Sequence, residues 1–196
     1  MKSALLIDLG GTNVRSAFFF KNNLSKISKE KITDREFVPF LSKLLDEEEN
    51  KIDSLVIAAA GPNNQDSINL TNRNLLIDSG ELETKLNLKK CLLLNDWEAV
   101  AYALSELKKE SFLTIKKGAP TNENTLLIGP GTGLGATLII NDKIIPTEFG
   151  NTLSPTKAML ENFGLENNNK FLTLENIISG PGIEKLYEEK FGKKIS

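Results

Sequence analysis

The sequence contains no histidine and a single cysteine, Cys91. Within these 196 residues, the missing histidine excludes Ser–His–Asp catalysis, histidine-ligated metals and a histidine general base, so acid–base chemistry falls to Asp, Glu, Lys or Tyr. One cysteine also excludes an internal disulfide framework and a cysteine-based zinc site. Because Cys91 precedes a run of three leucines, we predict that it is a small, buried apolar residue.

The sequence also lacks long apolar runs and a marked excess of either charge. No segment approaches the roughly 20 apolar residues of a membrane-spanning helix, and Asp8 interrupts the apolar run near the start. The net charge is −2, and the lysines are scattered rather than gathered in a basic stripe. We therefore expect a soluble cytoplasmic protein that binds neither nucleic acid nor membrane.

Two glycine-rich turns stand out: Asp-Leu-Gly-Gly-Thr-Asn at residues 8–13 and Gly-Pro-Gly-Thr-Gly-Leu-Gly at residues 129–135. Each lies between two apolar, strand-like runs, whereas a dinucleotide-binding fingerprint requires its glycine turn to open a helix. Small residues at the tip of a strand–turn–strand unit let backbone N–H groups approach an anion closely. Either turn alone is equally typical of an ordinary hairpin, but two in one chain predict a nucleotide phosphate chain held from both sides.

The apolar pattern predicts two α/β domains, at residues 1–110 and 111–196, with a polar stretch at 111–123 as the boundary. The first is predicted to contain strands at 5–8, 14–20, 25–31, 54–59 and 91–94, and helices at 36–48, from Asp78 to about 87, and at 96–107. The second is predicted to contain strands at 125–128, 136–140 and 143–145, and helices at 156–165 and 182–191. Both halves open with a glycine-tipped hairpin, which indicates a duplicated architecture, but the second lacks the two further strands that complete the first.

Two aspartates lie at the ends of predicted strands. Asp96 follows Asn95 and opens a predicted helix, which is typical of a helix N-cap. The alternative is a carboxylate at the carboxyl edge of the sheet, where it takes a proton from a substrate hydroxyl. Asp8 places a carboxylate beside the first glycine turn, where a phosphate-bound Mg²⁺ would lie. Four further polar residues, each typical of a turn or surface loop when taken alone, are Asn74, Glu148, Asn151 and Glu175.

Six motifs occur in a distinctive order. They are Asp-x-Gly-Gly-Thr-Asn-x-Arg at 8–15, Ala-Gly-Pro at 60–62, Leu-Thr-Asn at 70–72, Leu-Asn-Asp-x-x-Ala-Val-Ala-Tyr-Ala at 94–103, Gly-Pro-Gly-Thr-Gly-Leu-Gly at 129–135 and Ile-Ser-Gly-Pro-Gly-Ile at 178–183. Together they resemble bacterial ATP-dependent glucokinase, from residue 3 to about residue 189. The resemblance implies the α/β, actin-like (RNase H-like) sugar-kinase fold, with a complete small N-terminal domain and an incomplete second domain. The cysteine-rich zinc motif of the related repressor-type sugar kinases is absent.

The resemblance also implies roles for individual residues. Asp96 resembles the general base that acts on the sugar 6-hydroxyl. The residues that would contact the sugar are Asn74, Asn95, Asp96, Glu148, Asn151 and Glu175. The residues that would hold the ATP phosphates are Asp8, Leu9, Gly10, Gly11, Thr12, Asn13, Gly131, Thr132 and Gly133. Asp8 would also bind Mg²⁺, through water.

The sequence departs from the family pattern at three residues and in length. A histidine that contacts the sugar is replaced by Asn151, a neighbouring glycine by Phe149, and the aromatic residue after Asn74 by Leu75. Loss of one hydrogen bond to a buried sugar hydroxyl costs on the order of 1–3 kcal/mol, which affects affinity and sugar choice more than the chemistry. Family members continue past the end of this sequence, so the resemblance implies a C-terminally truncated glucokinase.

Three functions follow from these patterns. The first is ATP-dependent phosphorylation of glucose, or a similar hexose, at its 6-hydroxyl, with ATP and Mg²⁺ as cofactors. The alternative is a truncated, non-catalytic sugar-binding remnant, for which ATP would bind weakly and activity would be near background. An actin-like ATPase without a sugar substrate would leave Asn95, Asp96 and the Glu148 loop unexplained. A homodimer and a complementing C-terminal fragment are both compatible with the sequence.

Overall fold

The continuous apolar run at residues 54–59 forms the middle parallel strand of a mixed sheet. This is seen in a computed structural model, which describes residues 3–11, 13–64, 66–70, 73–153, 156–166 and 168–194. The strands are β1 (Ser3–Leu9), β2 (Val14–Phe20), β3 (Asn23–Leu24), β4 (Ser28–Glu30), β5 (Ser54–Ala59), β6 (Ser67–Asn69), β7 (Leu76–Asp78), β8 (Lys90–Asn95), β9 (Thr125–Pro130), β10 (Leu134–Ile140) and β11 (Lys143–Thr147). The helices are α1 (Phe37–Glu47), α2 (Ser79–Lys85), α3 (Asp96–Leu104), α4 (Thr156–Asn162), α5 (Glu175–Ile178) and α6 (Gly180–Phe191).

Contacts between Cα atoms divide the chain into two compact units, Met1–Ala99 and Val100–Ser196. This division falls within α3, whereas the sequence places a functional domain boundary near residue 110; that boundary stays a prediction. Among the helices that the structure describes, none combines the length and the apolar character needed to cross a bilayer.

The sheet of the first unit has the order β3-β2-β1-β5-β8, and β4 also pairs with β2. β1, β5 and β8 are parallel, which explains their near-continuous apolar sequences, because strands of this kind are covered on both faces. β2 returns antiparallel from the first glycine turn, with Leu9 opposite Val14. The strands predicted at 14–20 and 54–59 are confirmed, and those at 5–8 and 91–94 are each extended by a few residues.

The strand predicted at residues 25–31 is wrong as a single element. It is divided into the short strands β3 and β4, both of which pair with β2. Lys21 and Asn22 adopt positive φ values and turn the chain tightly into β3. Between β3 and β4, the Ser25 hydroxyl oxygen accepts the N–H of Phe18 in β2 at 2.8 Å. A side chain therefore takes the place of one backbone hydrogen bond to β2.

Helix α1 packs its apolar face, which includes Phe37, Phe40 and Leu41, against this sheet's core. A 3₁₀ turn at Asp34–Glu36 precedes it, and Thr33 and Glu36 form a reciprocal capping box there. Helix α2 begins where predicted, because the Asp78 carboxylate accepts the N–H of Glu81 at 2.8 Å. The hairpin of β6 and β7 between these helices was not predicted, since each of its strands is only three residues long.

Cys91 is buried in β8, as predicted. Burial raises the pKa of its thiol to about 12, and the charges of Glu83 and Asp78 contribute to that rise. The thiol is therefore protonated at neutral pH and unreactive as a nucleophile.

Helix α3 ends at Leu104, so the prediction of a helix to residue 107 is wrong at its end. The N–H groups of Glu106 and Leu107 bond to carbonyls three residues back, which is the tighter spacing that closes a helix. Ala101 is the buried residue of α3, whereas Val100 is 44% exposed.

In the second unit, β9, β10 and β11 form the predicted antiparallel meander, with the order β11-β10-β9. A small core of Leu160, Phe171, Ile177 and Leu186 lies among its helices. Helix α4 ends at Asn162, before Gly164 with φ +69°, and so is shorter than the predicted 156–165. Helix α6 begins two residues before the predicted Gly182, because the Ser179 hydroxyl caps it.

Candidate active site

The carboxyl ends of the three parallel strands align at one edge of the first unit's sheet. Leu9 of β1 lies beside Ala59 of β5, and Ala59 lies beside Asn95 of β8. Neighbouring strands are about 4.8 Å apart, so the first glycine turn and Asn95 begin roughly 10 Å from each other. In open α/β sheets this edge is where ligands bind.

Asn95, rather than Asp96, caps helix α3. The Asn95 Oδ1 accepts the N–H groups of Trp97 and Glu98, and the Glu98 carboxylate accepts the N–H of Asn95 at 3.2 Å. This is a reciprocal capping box, and the N-cap interpretation of Asp96 is therefore wrong. Asn95 Nδ2 also donates to the Gly61 carbonyl at 3.2 Å, so the buried Asn95 joins the ends of β5 and β8.

Asp96 is the first residue of α3, and its carboxylate is held beside the helix N-terminus. Its Oδ1 accepts the N–H of Trp97 at 2.9 Å. Burial raises the pKa of the Asp96 carboxyl above its usual value, the Trp97 N–H opposes this rise, and the negative charge of Asp8 adds to it. A carboxylate with a raised pKa is a stronger base than an exposed one.

Asp8 lies at the base of the first glycine turn and is half exposed. Arg15, on the neighbouring strand β2, donates from Nη1 to its Oδ2 at 2.5 Å. One oxygen of the Asp8 carboxylate is therefore paired with a cation, while its charge is still felt at Asp96.

The first glycine turn is closed by its own backbone, because the Gly10 N–H donates to the Asn13 carbonyl at 3.0 Å. The Gly10 N–H is therefore already paired within the turn. The Leu9 side chain lies in the apolar core, which leaves only its backbone to face a ligand. Gly11 is exposed at the tip, and Thr12 lies outside the described residues.

The second glycine turn is also closed by a backbone hydrogen bond, over a shorter span. Its Gly131 N–H donates to the Gly133 carbonyl at 2.9 Å, and Thr132 is exposed at the tip. The Glu175 Oε2 accepts the N–H of Leu134, just after the turn, at 2.9 Å. A Cβ on Gly133 would lie 2.6 Å from that carboxylate oxygen, so a larger residue here would displace the end of the Glu175 side chain.

Glu175 was predicted to lie in a loop; the structure places it as the first residue of α5. The four-residue length of α5 explains why periodicity did not reveal it. The second unit therefore places Glu175 directly against the glycine turn.

A 3₁₀ turn at Phe149–Asn151 follows β11, and Glu148 is its N-cap residue. Asn151 Nδ2 donates to the Glu148 Oε2 at 3.3 Å, so the two predicted sugar ligands of this turn bond to each other. Gly150 is buried, and a Cβ there would lie 2.4 Å from the Leu134 carbonyl oxygen of β10.

The sequence and the fold are both similar to those of known proteins. The sequence profile of glucokinases matches residues 5–194. The chain belongs to the glucokinase family. It is 31% identical over 201 residues to a glucokinase-like protein of Xylella fastidiosa, covering 94% of this chain and 60% of that protein.

Solved structures of the glucokinase family and its neighbours share the fold. A glucokinase from an Antarctic psychrotroph is 25% identical, with a TM-score of 0.70 over 96% of this chain and 64% of that one. A ROK-family glucokinase from Streptomyces griseus, solved in complex with glucose and AMPPNP, has a TM-score of 0.60 at 19% identity, over 93% of this chain and 59% of that one. The predicted actin-like sugar-kinase fold is thus confirmed. The chain spans about 60% of the length of the curated relatives that it matches.

The departures from the glucokinase pattern are accommodated locally. Phe149 is 42% exposed, so its ring needs no space in the core, whereas Gly150 meets a backbone carbonyl and has to stay small. Leu75, in place of an aromatic residue, packs against the core of the first unit.

No group of three or more His, Cys, Asp or Glu side chains that could hold a metal ion is found in the part of the chain that the structure describes. Mg²⁺ in phosphoryl-transfer sites is usually bound by one or two carboxylates, water and substrate phosphates rather than by a protein cage. Asp8, a half-exposed carboxylate at the base of the first glycine turn, is a donor of that kind.

The structure brings Asp8, Gly10, Gly11, Asn95 and Asp96 to one edge of the first unit, and Gly131, Gly133 and Glu175 together in the second. Asn74 is exposed just before β7. Sequence reasoning missed Glu98 and Arg73. The spacing Asn95-x-x-Glu98 is a capping-box signal that reveals Glu98, whereas no sequence pattern reveals that Arg73 donates to the Gly11 carbonyl.

Proposed function

We propose that this protein transfers the γ-phosphoryl group of ATP to the 6-hydroxyl of glucose or a similar hexose. The observation that carries the proposal is Asp96, a partly buried carboxylate of raised pKa at the carboxyl end of a parallel strand. Membership of the glucokinase family supports the reaction class. The relative from Streptomyces griseus, solved with glucose and AMPPNP, supports the substrates by likeness of fold.

In this proposal Asp96 is the general base. It accepts the proton of the sugar 6-hydroxyl while that oxygen forms a bond to the γ-phosphorus, and the bond between the γ-phosphorus and ADP breaks. Phosphoryl transfer of this kind depends mainly on positioning and on stabilisation of phosphate charge. The capping box around Asn95 fixes the start of α3 and with it the Asp96 backbone.

The proposed phosphate contacts are the two glycine turns, at residues 8–13 and 131–133. Because the amides of Gly10 and Gly131 close their own turns, the contacts fall to the exposed tips, at Gly11 and Thr132. Mg²⁺, held by Asp8 through water, would neutralise charge that develops on the phosphates. Residues 1–110 would thus carry the base and one turn, and residues 111–196 the other turn.

The proposed sugar contacts are side chains that can bond to hydroxyl groups. They are Asn74, Asn95, Asp96, Glu148, Asn151 and Glu175. Asn95 Nδ2 already donates one hydrogen to Gly61, so a sugar hydroxyl would use its second hydrogen. Glu175 already accepts the N–H of Leu134, so a sugar hydroxyl bound to Glu175 would be linked to the second glycine turn.

The test is a comparison of wild type, Asp96→Asn and Asp46→Asn, with glucose, ATP and Mg²⁺. Glucose affinity is measured by calorimetry, and glucose 6-phosphate is measured by a coupled assay. Asp46 is exposed on α1 and serves as the matched control for loss of one negative charge. We expect Asp96→Asn to bind glucose nearly as wild type and to lose roughly 10²–10⁴-fold in turnover, with no loss in the control.

Full turnover by Asp96→Asn would show that another group takes the proton. Glucose binding by the wild type without any ATP-dependent product would contradict the kinase proposal and favour the sugar-binding alternative.

A further inference from the structure

Arg73 carries a buried positive charge beside the first glycine turn. Its side chain is 6% exposed, and its Nε donates to the Gly11 carbonyl at 3.0 Å. Its Nη1 lies 3.5 Å from the Asp34 Oδ1, and the Asp34 side chain is 35% exposed. Burying a guanidinium is costly unless its N–H groups are paired, so these contacts determine where Arg73 can lie.

The contact with Gly11 joins a buried, charged side chain to the backbone of a flexible glycine turn. Gly10 and Gly11 have no side chains with which to fix their conformation, and glycine is the most flexible residue of the backbone. One bond within the turn closes it, from Gly10 to Asn13, and Arg73 holds it from outside. Asp34 belongs to the 3₁₀ turn that leads into α1, so Arg73 ties the glycine turn to a fixed part of the fold.

Arg73 is also the residue immediately before Asn74. Asn74, the proposed sugar contact, and Arg73, which holds the first glycine turn, are therefore neighbours on the same segment of backbone. Just beyond it, the Leu75 carbonyl accepts the N–H of Leu70 at 3.1 Å, which anchors this segment to the strand before it.

We propose that Arg73 is a positioning residue that holds the first glycine turn through the Gly11 carbonyl and links that turn to the sugar-side segment at Asn74. The link to sugar rests on the proposed function. Sugar bound at Asn74 then restrains Arg73, and Arg73 restrains the turn that faces the ATP phosphates.

The first test needs no ligand. Backbone amide exchange of a peptide covering residues 8–14 is measured by mass spectrometry in wild type, Arg73→Gln and Arg35→Gln. Arg35 is exposed in the same 3₁₀ turn as Asp34 and is the matched control. We expect about tenfold faster exchange in Arg73→Gln, because a hydrogen bond from a charged donor is lost, and no change in the control. Exchange in Arg73→Gln equal to that of wild type would overturn the positioning role.

Arg73→Lys provides a second variant if Arg73→Gln does not fold. Lysine keeps the charge but lacks the planar fork that reaches Gly11 and Asp34 together. We expect exchange of residues 8–14 between the wild-type rate and that of the glutamine variant. A wild-type rate in Arg73→Lys would likewise overturn the role of the fork.

The second test adds saturating glucose. We expect slower exchange of residues 8–14 in wild type and Arg35→Gln, and a smaller effect or none in Arg73→Gln. An equal effect of glucose on exchange in all three proteins would show that Arg73 does not connect the Asn74 segment to the first glycine turn. If calorimetry shows no glucose binding to wild type, the proposed function fails, whereas the ligand-free comparison still decides whether Arg73 positions the turn.

Discussion

At the scale of single residues, the junction of β8 and α3 gives Asn95 and Asp96 different roles: Asn95 caps the helix, and Asp96 holds a carboxylate at the edge of the sheet. The apolar run before it predicts a buried strand, which places both polar side chains at the edge of the sheet. Asn95 caps the helix if the helix begins at residue 96, and Asp96 caps it if the helix begins at residue 97. N-cap preference does not decide between them, because Asn and Asp are almost equally good caps. Glu98, three residues after Asn95, was the signal that decides it.

The raised pKa of Asp96 has a consequence for stability. A carboxyl whose pKa is raised on folding contributes stability below its unfolded pKa, about 3.9, and loses that contribution as pH rises through the folded value. We therefore expect Asp96→Asn to melt at a higher temperature than wild type at pH 7, since asparagine still accepts the Trp97 N–H without a buried charge. Melting curves from pH 3 to pH 8 should show the difference shrinking toward acid. A difference that stays constant, or grows toward acid, would contradict this.

Gly150 gives a sterically defined prediction. Alanine there would place Cβ 2.4 Å from a backbone carbonyl, so we expect Gly150→Ala to lose roughly 1–3 kcal/mol of unfolding free energy. Gly118→Ala is the control, because a Cβ at Gly118 meets nothing within 4 Å. Urea denaturation of both variants measures the effect, and equal stability of the two would show that the turn can move away from β10.

Asn151 replaces the histidine of the family pattern and donates to Glu148. We expect Asn151→His to tighten glucose binding by about 1 kcal/mol or more, because the longer ring restores a hydrogen bond to a sugar hydroxyl. Asn124→His, at an exposed position before β9, is the control. Calorimetric titration of both decides the matter: unchanged or weaker binding in Asn151→His means that this turn contacts the sugar differently.

At the scale of elements, each glycine turn is closed by its own backbone and held by one charged side chain from elsewhere. Arg73 serves the first turn and Glu175 the second. These two turns and the strands that flank them were predictable, because apolar runs and glycine are local signals. The two holding contacts were not, since they join residues 62 and 41 positions apart.

The contact of Glu175 with the second turn is testable without a ligand. We expect Glu175→Ala to speed amide exchange of Leu134 by about tenfold, because its N–H loses a carboxylate acceptor. Glu175→Gln keeps an acceptor oxygen and should restore most of the protection, and Glu184→Ala, exposed on α6, should have no effect. Unchanged exchange of Leu134 in Glu175→Ala would rule out this contact in solution.

At the scale of the whole molecule, the two units differ in how much apolar surface they bury. The core of the first unit extends over its sheet and both flanking helices, whereas that of the second gathers around Leu160 and Phe171. In the second unit, Leu126 and Ile128 of β9 remain nearly half exposed. The order of motifs was enough to predict the family and the fold, but the short elements, β6, β7 and α5, lie below the length at which periodicity is informative.

We propose that the first unit carries part of a sugar site of the glucokinase type. The most direct measurement is a calorimetric titration of glucose into wild type, Asn74→Ala and Asn64→Ala. Both asparagines are exposed, so neither substitution should disturb folding, and Asn64 is not one of the proposed sugar contacts. We predict saturable binding to wild type and to Asn64→Ala, and binding about 5- to 10-fold weaker in Asn74→Ala, as expected for one lost hydrogen bond. A folded wild-type chain that binds no glucose, or equal affinity in all three proteins, would show that Asn74 and the first unit do not form this sugar site.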